Sequence, residues 1–146
     1  MIEIRPYKPE DYMIIQRRHF DSLTFMNFPD PSAVARNLAT GRAYTIANGF
    51  PIACGGVLPL WKGVGEGWVV TSDLVEKYPL IFAKTVWRAM TELIVDMGLE
   101  RIQTVVDSEH TVSQRWVERM GFKNEGLMKK YLGGRDFIRY AIVRDK

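Results

Sequence analysis

The chain has 146 residues, which suits one compact domain spanning residues 1–146 and is too short for two domains of ordinary size. Hydrophobic residues make up 47% of it, but no apolar run approaches the roughly 18 to 20 residues that span a bilayer, so no membrane partner is expected. Twenty basic and 17 acidic residues give a formal net charge of +3 without a block of one sign, which argues against a nucleic-acid partner. The N-terminus has no basic and then apolar leader, so the cytoplasm is the expected location.

The first quarter of the chain predicts a strand and two helices. Residues 1–7 alternate between polar and apolar side chains, as a strand does. Residues 9–23 have apolar side chains at helical spacing and an acidic first turn, which predicts one continuous helix. A second, shorter helix follows a Pro-rich turn, with Ser32 as its expected cap and Gly41 as its expected end.

The next segment predicts a hairpin and a third strand. Two apolar runs flank Asn48-Gly49, a dipeptide typical of two-residue hairpin turns. The second run contains Cys54, the single cysteine, which is expected to be buried as a small apolar residue. A glycine-rich loop is predicted over residues 62–67, with a further strand over residues 68–74.

The second half predicts a long helix, a strand, a short helix and two final strands. Apolar residues from Pro79 to Met97 line one helical face, with proline in the first turn and Gly98 after the end. The later elements follow as strand 101–107, helix 108–120, strand 124–131 and strand 136–144, the last two joined by the turn LGGR.

The short helix stops abruptly at Gly121, which is followed by Phe122. Glycine adopts the left-handed conformation of a helix cap at little cost, and the next aromatic side chain can fold back on the last helical turn. The segment from Ser113 to Phe122, the closing GGRDFIRYAIVR and the order of elements together resemble the GNAT family of acyl-CoA-dependent N-acyltransferases. The resemblance covers essentially the whole chain. It implies an α/β (α+β) fold with a mixed, mostly antiparallel sheet of six to seven strands and about four flanking helices.

The same resemblance implies a function. It implies that the chain is an N-acetyltransferase, which transfers an acetyl group from the co-substrate acetyl-CoA to an amine of a protein or small molecule. No metal cofactor is expected. The acceptor amine stays open, and so does a homodimer. The resemblance also implies contacts to the coenzyme from residues of the fourth strand and the two following helices: Val70, Thr71, Tyr78, Leu80, Ile81, Ala83, Lys84, His110 and Ser113.

One family signature is largely missing. Most members carry Q/R-x-x-G-x-G/A before the long helix, where backbone N–H groups hold the pyrophosphate. The corresponding residues are 78–83, and only Ala83 agrees. The free N–H groups of the helix start are still expected to bind the pyrophosphate, with Lys77 and Lys84 supplying charge.

Acetyl transfer needs a base for the amine and a proton for the departing thiolate. Glu66 is the predicted base, with Asp73 and Glu76 as weaker substitutes. The position at which many relatives have a tyrosine is Val117 here. The resemblance implies Ser113 as the proton donor, because it matches a serine that lies near the coenzyme sulfur in some relatives, and a hydroxyl can donate a hydrogen bond to a thiolate. His110 is predicted to contact the pantetheine arm or to titrate near neutral pH.

Two other functions stay open. The missing glycines and tyrosine favour a GNAT-like module that has lost catalysis and serves in binding or structure, for example in association with a phage. A basic nucleic-acid binder is supported only by the C-terminal cluster of Lys123, Lys129, Lys130, Arg135 and Arg139.

Overall fold

The strands form one sheet in the computed structural model, which describes residues 1–144. They are β1 (Glu3–Pro6), β2 (Arg42–Asn48), β3 (Phe50–Trp61), β4 (Val64–Thr71), β5 (Arg101–Asp107), β6 (Lys123–Leu132) and β7 (Arg135–Val143). Their order across the sheet is β1-β2-β3-β4-β5-β7-β6. Every neighbouring pair is antiparallel except β4 and β5, which are parallel. The predicted mixed, mostly antiparallel sheet is confirmed.

The helices cover the two faces of this sheet. They are α1 (Pro9–Ile14), α2 (His19–Met26), α3 (Pro31–Leu38), α4 (Pro79–Asp96) and α5 (Thr111–Arg119), with a short 3₁₀ helix at Asp73–Lys77. Five α-helices in residues 1–144 replace the four or so expected. The difference arises in the first predicted helix.

The prediction of one helix over residues 9–23 was wrong. α1 ends because Ile15 takes an extended conformation, with ψ at 136°. Arg17 then forms an isolated antiparallel bridge with Ser72 at the end of β4. Since this pairing joins residues far apart in the chain, the helical spacing of apolar side chains contained no sign of it.

The predicted ends of the next helix were also wrong. Asp30, not Ser32, is the N-cap of α3, and its side chain accepts a hydrogen bond of 3.2 Å from the N–H of Ala33. Pro31 occupies the first helical position, so the residue before it takes the capping role. α3 ends at Leu38, before Gly41 is reached.

The glycine-rich segment is mostly strand rather than loop. β4 begins at Val64, so only Lys62 and Gly63 form the turn after β3. A Cβ atom added at Gly65 would lie 2.5 Å from Cγ1 of Val57. Gly65 is therefore explained by close packing within the sheet and not by a flexible turn. The hairpin at Asn48-Gly49 is confirmed, with φ of Gly49 at +79°.

The apolar core lies on both faces of the sheet. The face under α4 and α5 buries ten residues: Val57, Met90, Leu93, Leu99, Ile102, Val106, Val117, Met120, Phe122 and Tyr140. The face under α1 and α3 buries Tyr7, Tyr12, Ile15, Ala35, Leu38, Cys54 and Val70. The predicted burial of Cys54 is confirmed, and burial raises the pKa of its thiol to about 12. Such a thiol is protonated at neutral pH and packs as an apolar residue.

The cap at the end of α5 is confirmed in detail. Gly121 has φ at +103°, in the range that favours glycine. Its N–H donates to the carbonyl of Glu118 at 3.1 Å, and the N–H of Phe122 donates to the carbonyl of Val117 at 3.0 Å. These two bonds define a Schellman motif, and Phe122 packs beside Val117 in the core. The motif fixes the direction in which α5 leads into β6.

Candidate active site

The parallel strands β4 and β5 separate along their length and leave a gap. They pair only between residues 64–66 and 101–103. Just beyond, the hydroxyl of Thr104 donates to the carbonyl of Gly67 at 2.9 Å. We refer to the paired section as the closed end of the gap and to the section around Thr71 as the open end.

Backbone groups of β4 face this gap. The N–H and C=O of Thr71 bond with residues of α2 and the segment before it, so they point away from β3. Alternate residues of an antiparallel strand point their backbone groups the same way, and β3 and β4 pair in continuous register from Val57 and Gly67 to Ala53 and Thr71. Val69 therefore also presents its N–H and C=O to the gap.

Glu66 lies at the closed end of the gap. One of its carboxylate oxygens accepts hydrogen bonds from Nε2 of Gln103 at 3.0 Å and from Nη1 of Arg139 at 3.1 Å. The other oxygen lies 3.2 Å from the same Nη1. The side chains of Glu66 and Arg139 are only 24% and 21% exposed. The role of Glu66 as a base stays a prediction, and its oxygens already have protein partners.

A second carboxylate, Asp21, lies at the open end. Its Oδ2 accepts from the N–H of Thr71 at 3.0 Å and lies 3.4 Å from the hydroxyl of the same residue. Burial raises the pKa of Asp21 above its ordinary value, although the hydrogen bonds from Thr71 oppose this shift. A raised pKa makes the Asp21 carboxylate a stronger proton acceptor than an ordinary aspartate. No signal in the sequence pointed to Asp21, because the spacing of apolar residues predicted one continuous helix over residues 9–23.

Ser113 and His110 lie together at the start of α5, across the gap from β4. The hydroxyl of Ser113 and Nε2 of His110 are 3.0 Å apart. The ring of His110 stacks on Phe20, with ring centroids 4.3 Å apart and planes at 12°. Burial lowers the pKa of His110, nearby Arg18 lowers it further, and Asp107 opposes both. A neutral imidazole at this position can exchange a hydrogen bond with the serine hydroxyl.

The first turn of α2 joins these two sides. Phe20 contacts His110 on α5, and the next residue, Asp21, contacts Thr71 on β4. The first turn of α2 thus links Thr71 on one side with His110 and its partner Ser113 on the other. Val70 lies nearby, but its side chain is buried in the core under α1 and α3.

The start of α4 lies beyond the open end, after the 3₁₀ helix. Tyr78 is the N-cap without a side-chain hydrogen bond, and Pro79 begins the helix. The N–H groups of Leu80 and Ile81 belong to the first turn, where a helix supplies no backbone acceptor. Both residues are exposed, as is Lys84, whereas Ala83 is partly buried. These N–H groups and the nearby lysine form the predicted phosphate-binding end.

The start of α4 is packed against α5. Phe82 stacks on Trp116, with ring centroids 5.3 Å apart and planes at 23°. This contact connects the predicted phosphate-binding end to the helix that carries Ser113. The aromatic pair thereby sets the distance between the two helices that border the gap.

The chain matches no protein-family model and no curated protein sequence. It does resemble solved structures of acetyltransferases. One is the GNAT-family acetyltransferase from Bacillus anthracis, with a TM-score of 0.72, 16% identity, and coverage of 97% of this chain and 94% of the other. Another is the ribosomal-protein-S5-alanine acetyltransferase from Vibrio fischeri, with a TM-score of 0.71, 15% identity, and coverage of 99% and 94%.

A third similar structure is a GNAT-family acetyltransferase from Elizabethkingia anophelis that has acetyl-CoA bound. Its TM-score is 0.68 at 12% identity, and the match covers 98% of each chain. At these identities the likeness shows the fold. The chain therefore has the fold of the GNAT acetyltransferases, as the order of its elements predicts.

No helix in residues 1–144 combines the length and the hydropathy that a membrane span requires. No group of three or more His, Cys, Asp or Glu side chains in the same residues could hold a metal ion.

Proposed function

We propose that the protein is an N-acetyltransferase that uses acetyl-CoA as its co-substrate. The observation that carries this proposal is the gap between β4 and β5. Backbone groups of β4 face the gap on one side, and the Ser113–His110 pair borders it on the other. The proposal draws further support from a fold shared with acetyltransferases, one of which has acetyl-CoA bound.

The residues around the gap fit the parts of acetyl-CoA. The N–H groups of Leu80 and Ile81 can hold the pyrophosphate, with Lys84 adding a positive charge. The backbone N–H and C=O of Val69 can pair with an amide of the pantetheine arm, as a neighbouring strand would. Tyr78, Ala83 and His110 line the way between these two positions in the proposed arrangement. Acetyl-CoA supplies the activated acetyl group as a thioester.

The transfer forms one bond and breaks another. The acceptor nitrogen attacks the acetyl carbonyl carbon, so a C–N bond forms and the C–S bond breaks. The proton lost by the amine passes to a carboxylate, which releases it to solvent. Ser113 donates a proton to the thiolate sulfur and recovers one from solvent through His110. Glu66 is the carboxylate predicted for the amine proton. Asp21 is a second candidate, because it has fewer protein partners and lies at the open end.

A second function is favoured by a specific observation. The N–H of Arg18 donates to the carbonyl of Thr71 at 3.1 Å. The side chain of Asp21 accepts a hydrogen bond from the N–H of Thr71. Part of the edge of β4 is thus already paired with the chain itself. This pairing, together with the glycine-poor start of α4, favours a GNAT-like binding module without catalysis. A phage association of such a module stays a prediction.

Calorimetric titration with CoA and with acetyl-CoA separates the two functions. The enzyme proposal expects saturable binding of one CoA per chain and a rise in melting temperature, because a ligand that binds only the folded state stabilises it. It further expects release of free thiol when acetyl-CoA and a panel of amines are added. Absence of CoA binding at millimolar ligand would overturn the enzyme proposal, and binding without thiol release would favour the module.

A further inference from the structure

Arg17 is a partly buried arginine without an acidic partner. Its guanidinium carbon lies 3.6 Å from the ring centroid of Phe25 and 4.9 Å from that of Tyr12. Its terminal nitrogens donate to backbone carbonyls of Tyr12 and Ile15. No carboxylate of residues 1–144 lies within 4.0 Å of it, whereas Arg5, Arg18, Arg101, Arg135 and Arg139 all have such partners.

The remaining donor of Arg17 has no acceptor. Its Nε is buried and makes no hydrogen bond with the described residues. An unpaired buried N–H group destabilises the folded protein, and the loss of free energy is larger when the N–H belongs to a charged side chain. Buried N–H groups of arginine therefore usually have a hydrogen-bond partner. Burial lowers the pKa of Arg17, and nearby groups, Asp21 among them, oppose this shift without cancelling it.

Trp68 has a second unpaired donor in the same neighbourhood. Its indole Nε1 is the other buried side-chain nitrogen without a partner in residues 1–144. The Trp68 ring meets Tyr7 edge-on at 5.2 Å and Tyr12 at 6.5 Å between centroids. Arg17 and Trp68 therefore both lie against Tyr12, and each presents an N–H group that nothing in the described chain accepts.

Arg17 lies at the open end of the gap, where it forms the bridge to Ser72 directly after β4. Trp68 lies on β4 between the two ends. Asp21 follows Arg17 closely in the chain and binds Thr71. An unpaired positive group and a carboxylate thus lie near the same end of one strand.

We infer that the acceptor is an amine that carries a carboxylate, as free amino acids do, and that Arg17 and Trp68 bind this carboxylate. The inference rests on the proposed function and specifies its acceptor. The carboxylate accepts from Nε of Arg17 and from Nε1 of Trp68, which satisfies both donors and the charge. The rings of Tyr12 and Phe25 form apolar walls for the adjoining carbon atoms. Asp21 faces the ammonium end of the acceptor and can take its proton.

Classes of acceptor differ in the anionic group that they could place against Arg17. A polyamine or the N-terminus of a protein offers no carboxylate next to the amine, so neither would satisfy Arg17. A phosphorylated amine offers an anion of tetrahedral shape and higher charge. A carboxylate brings one negative charge, equal in size to the positive charge of the single guanidinium.

The first experiment compares matched acceptors that differ only in the carboxylate. Acetyl transfer is measured for L-leucine against isoamylamine and for L-phenylalanine against phenethylamine. The expected preference for the amino acid is about 10- to 100-fold in kcat/KM, the range of a hydrogen bond to a charged group. Equal values for both members of each pair, or a preference for O-phosphoethanolamine over the amino acids, would overturn the inference.

Variants identify the residues responsible. Arg17→Gln should remove most of the preference, chiefly through KM, and Arg17→Lys should retain part of it because the charge remains. Trp68→Phe, which removes only the N–H and one ring, should reduce the preference and provides an answer if Arg17→Gln fails to fold. Arg101→Gln is the matched control, since its side chain is bound to Glu125 away from the open end, and it should keep the preference. A preference that survives in both Arg17→Gln and Trp68→Phe would show that these residues only support the fold.

A binding measurement separates this inference from the proposed function. N-acetyl-L-leucine should raise the melting temperature of the protein more than N-isoamylacetamide does, without any turnover. If CoA binds but the two products act alike, the carboxylate assignment fails and the enzyme proposal stands. If CoA does not bind but N-acetyl-L-leucine does, the enzyme proposal fails and the anion site stands.

Discussion

The two ends of the gap beside β4 differ in how their charged groups are satisfied. At the closed end Glu66 is bound by Gln103 and Arg139, so the carboxylate and the guanidinium neutralise each other. At the open end Asp21 has only the N–H and hydroxyl of Thr71, and Arg17 has only backbone carbonyls and aromatic rings.

Charged residues beside this sheet therefore have two different roles, one in folding and one in ligand binding. A pair that completes its own hydrogen bonds stabilises the junction between β4, β5 and β7. A charged group whose hydrogen bonds are incomplete binds a ligand favourably when the ligand supplies the missing partner. We therefore expect mutations at the closed end to affect folding first and mutations at the open end to affect binding first.

The largest effect is expected at Gly121, which fixes the helix bordering the open end. Gly121→Val should lower the free energy of unfolding by about 1 to 3 kcal/mol, because a β-branched residue is strained at a positive φ. Urea unfolding measures the change. Gly121→Asn is the matched control and should lose less, since asparagine tolerates the left-handed region better. Equal stability of Gly121→Val and the wild type would refute the cap described above.

A smaller loss is expected from the closed-end pair. Arg139→Ala should lower the free energy of unfolding by about 1 to 1.5 kcal/mol, since it leaves a partly buried carboxylate with one neutral partner. Arg18→Ala is the control, because its partners Asp73 and Glu76 are 88% and 67% exposed. It should change stability by at most about 0.5 kcal/mol in urea unfolding. Similar losses in both variants would remove the distinction between a satisfied buried pair and a surface pair.

The pH dependence of stability should have opposite signs for two carboxylates near the gap. Burial works to raise the pKa of Asp107, but hydrogen bonds from Arg135 and from the N–H of Glu109 lower it below its ordinary value. The stability from Asp107 is therefore present above the unfolded pKa and lost as pH falls through the folded pKa. The pKa of Asp21 is raised, so its stabilisation is present below the unfolded pKa and lost as pH rises through the folded pKa.

Melting temperatures of two isosteric variants across the acid range test these signs. At neutral pH Asp107→Asn should melt below the wild type, and the difference should shrink as pH falls. Asp21→Asn should melt above the wild type at neutral pH, and its advantage should likewise shrink on acidification. A lower melting temperature for Asp21→Asn at neutral pH would show that its charge is fully compensated in the fold.

The smallest effect is expected at the phosphate-binding end. Lys84→Glu should weaken CoA binding roughly three- to fivefold at low salt, and the difference should diminish as salt rises, because exposed charges are screened. Calorimetry with CoA measures it, and dephospho-CoA, which keeps the pyrophosphate, should respond similarly. Lys62→Glu is the control for net charge, since Lys62 lies in the turn before β4, at the other end of that strand. Unchanged CoA affinity in Lys84→Glu would leave phosphate binding to the backbone of α4 alone.

Local signals in the sequence predicted most of the fold. The proline at the start of α4, the hairpin at Asn48-Gly49 and the cap at Gly121 all formed as expected. Each depends on conformational preferences of adjacent residues, which operate in any context. The apolar periods of the strands and of α4 indicated the faces that would be buried, and the order of elements implied the sheet.

The candidate site was predicted only in part. Ser113 and His110 lie close together because both belong to one helix start, a relation that spacing reveals. The pairing of Glu66 with Arg139 joins residues on β4 and β7, which no local pattern connects. The predicted continuous helix over residues 9–23 also concealed Asp21 and Arg17.

The sequence by itself determined most of the elements, the cap at Gly121 and the turn at Gly49, because these follow from the φ and ψ preferences and hydrophobic spacing of neighbouring residues. The tertiary structure decided where the chain between α1 and α2 would run. The pairing of Arg17 with Ser72 interrupts the helix that the spacing of apolar residues predicts, and it places Arg17 and Asp21 at the open end. The tertiary structure also decided which charged residues form ion pairs, because the distances between their side chains are set only when the strands have assembled.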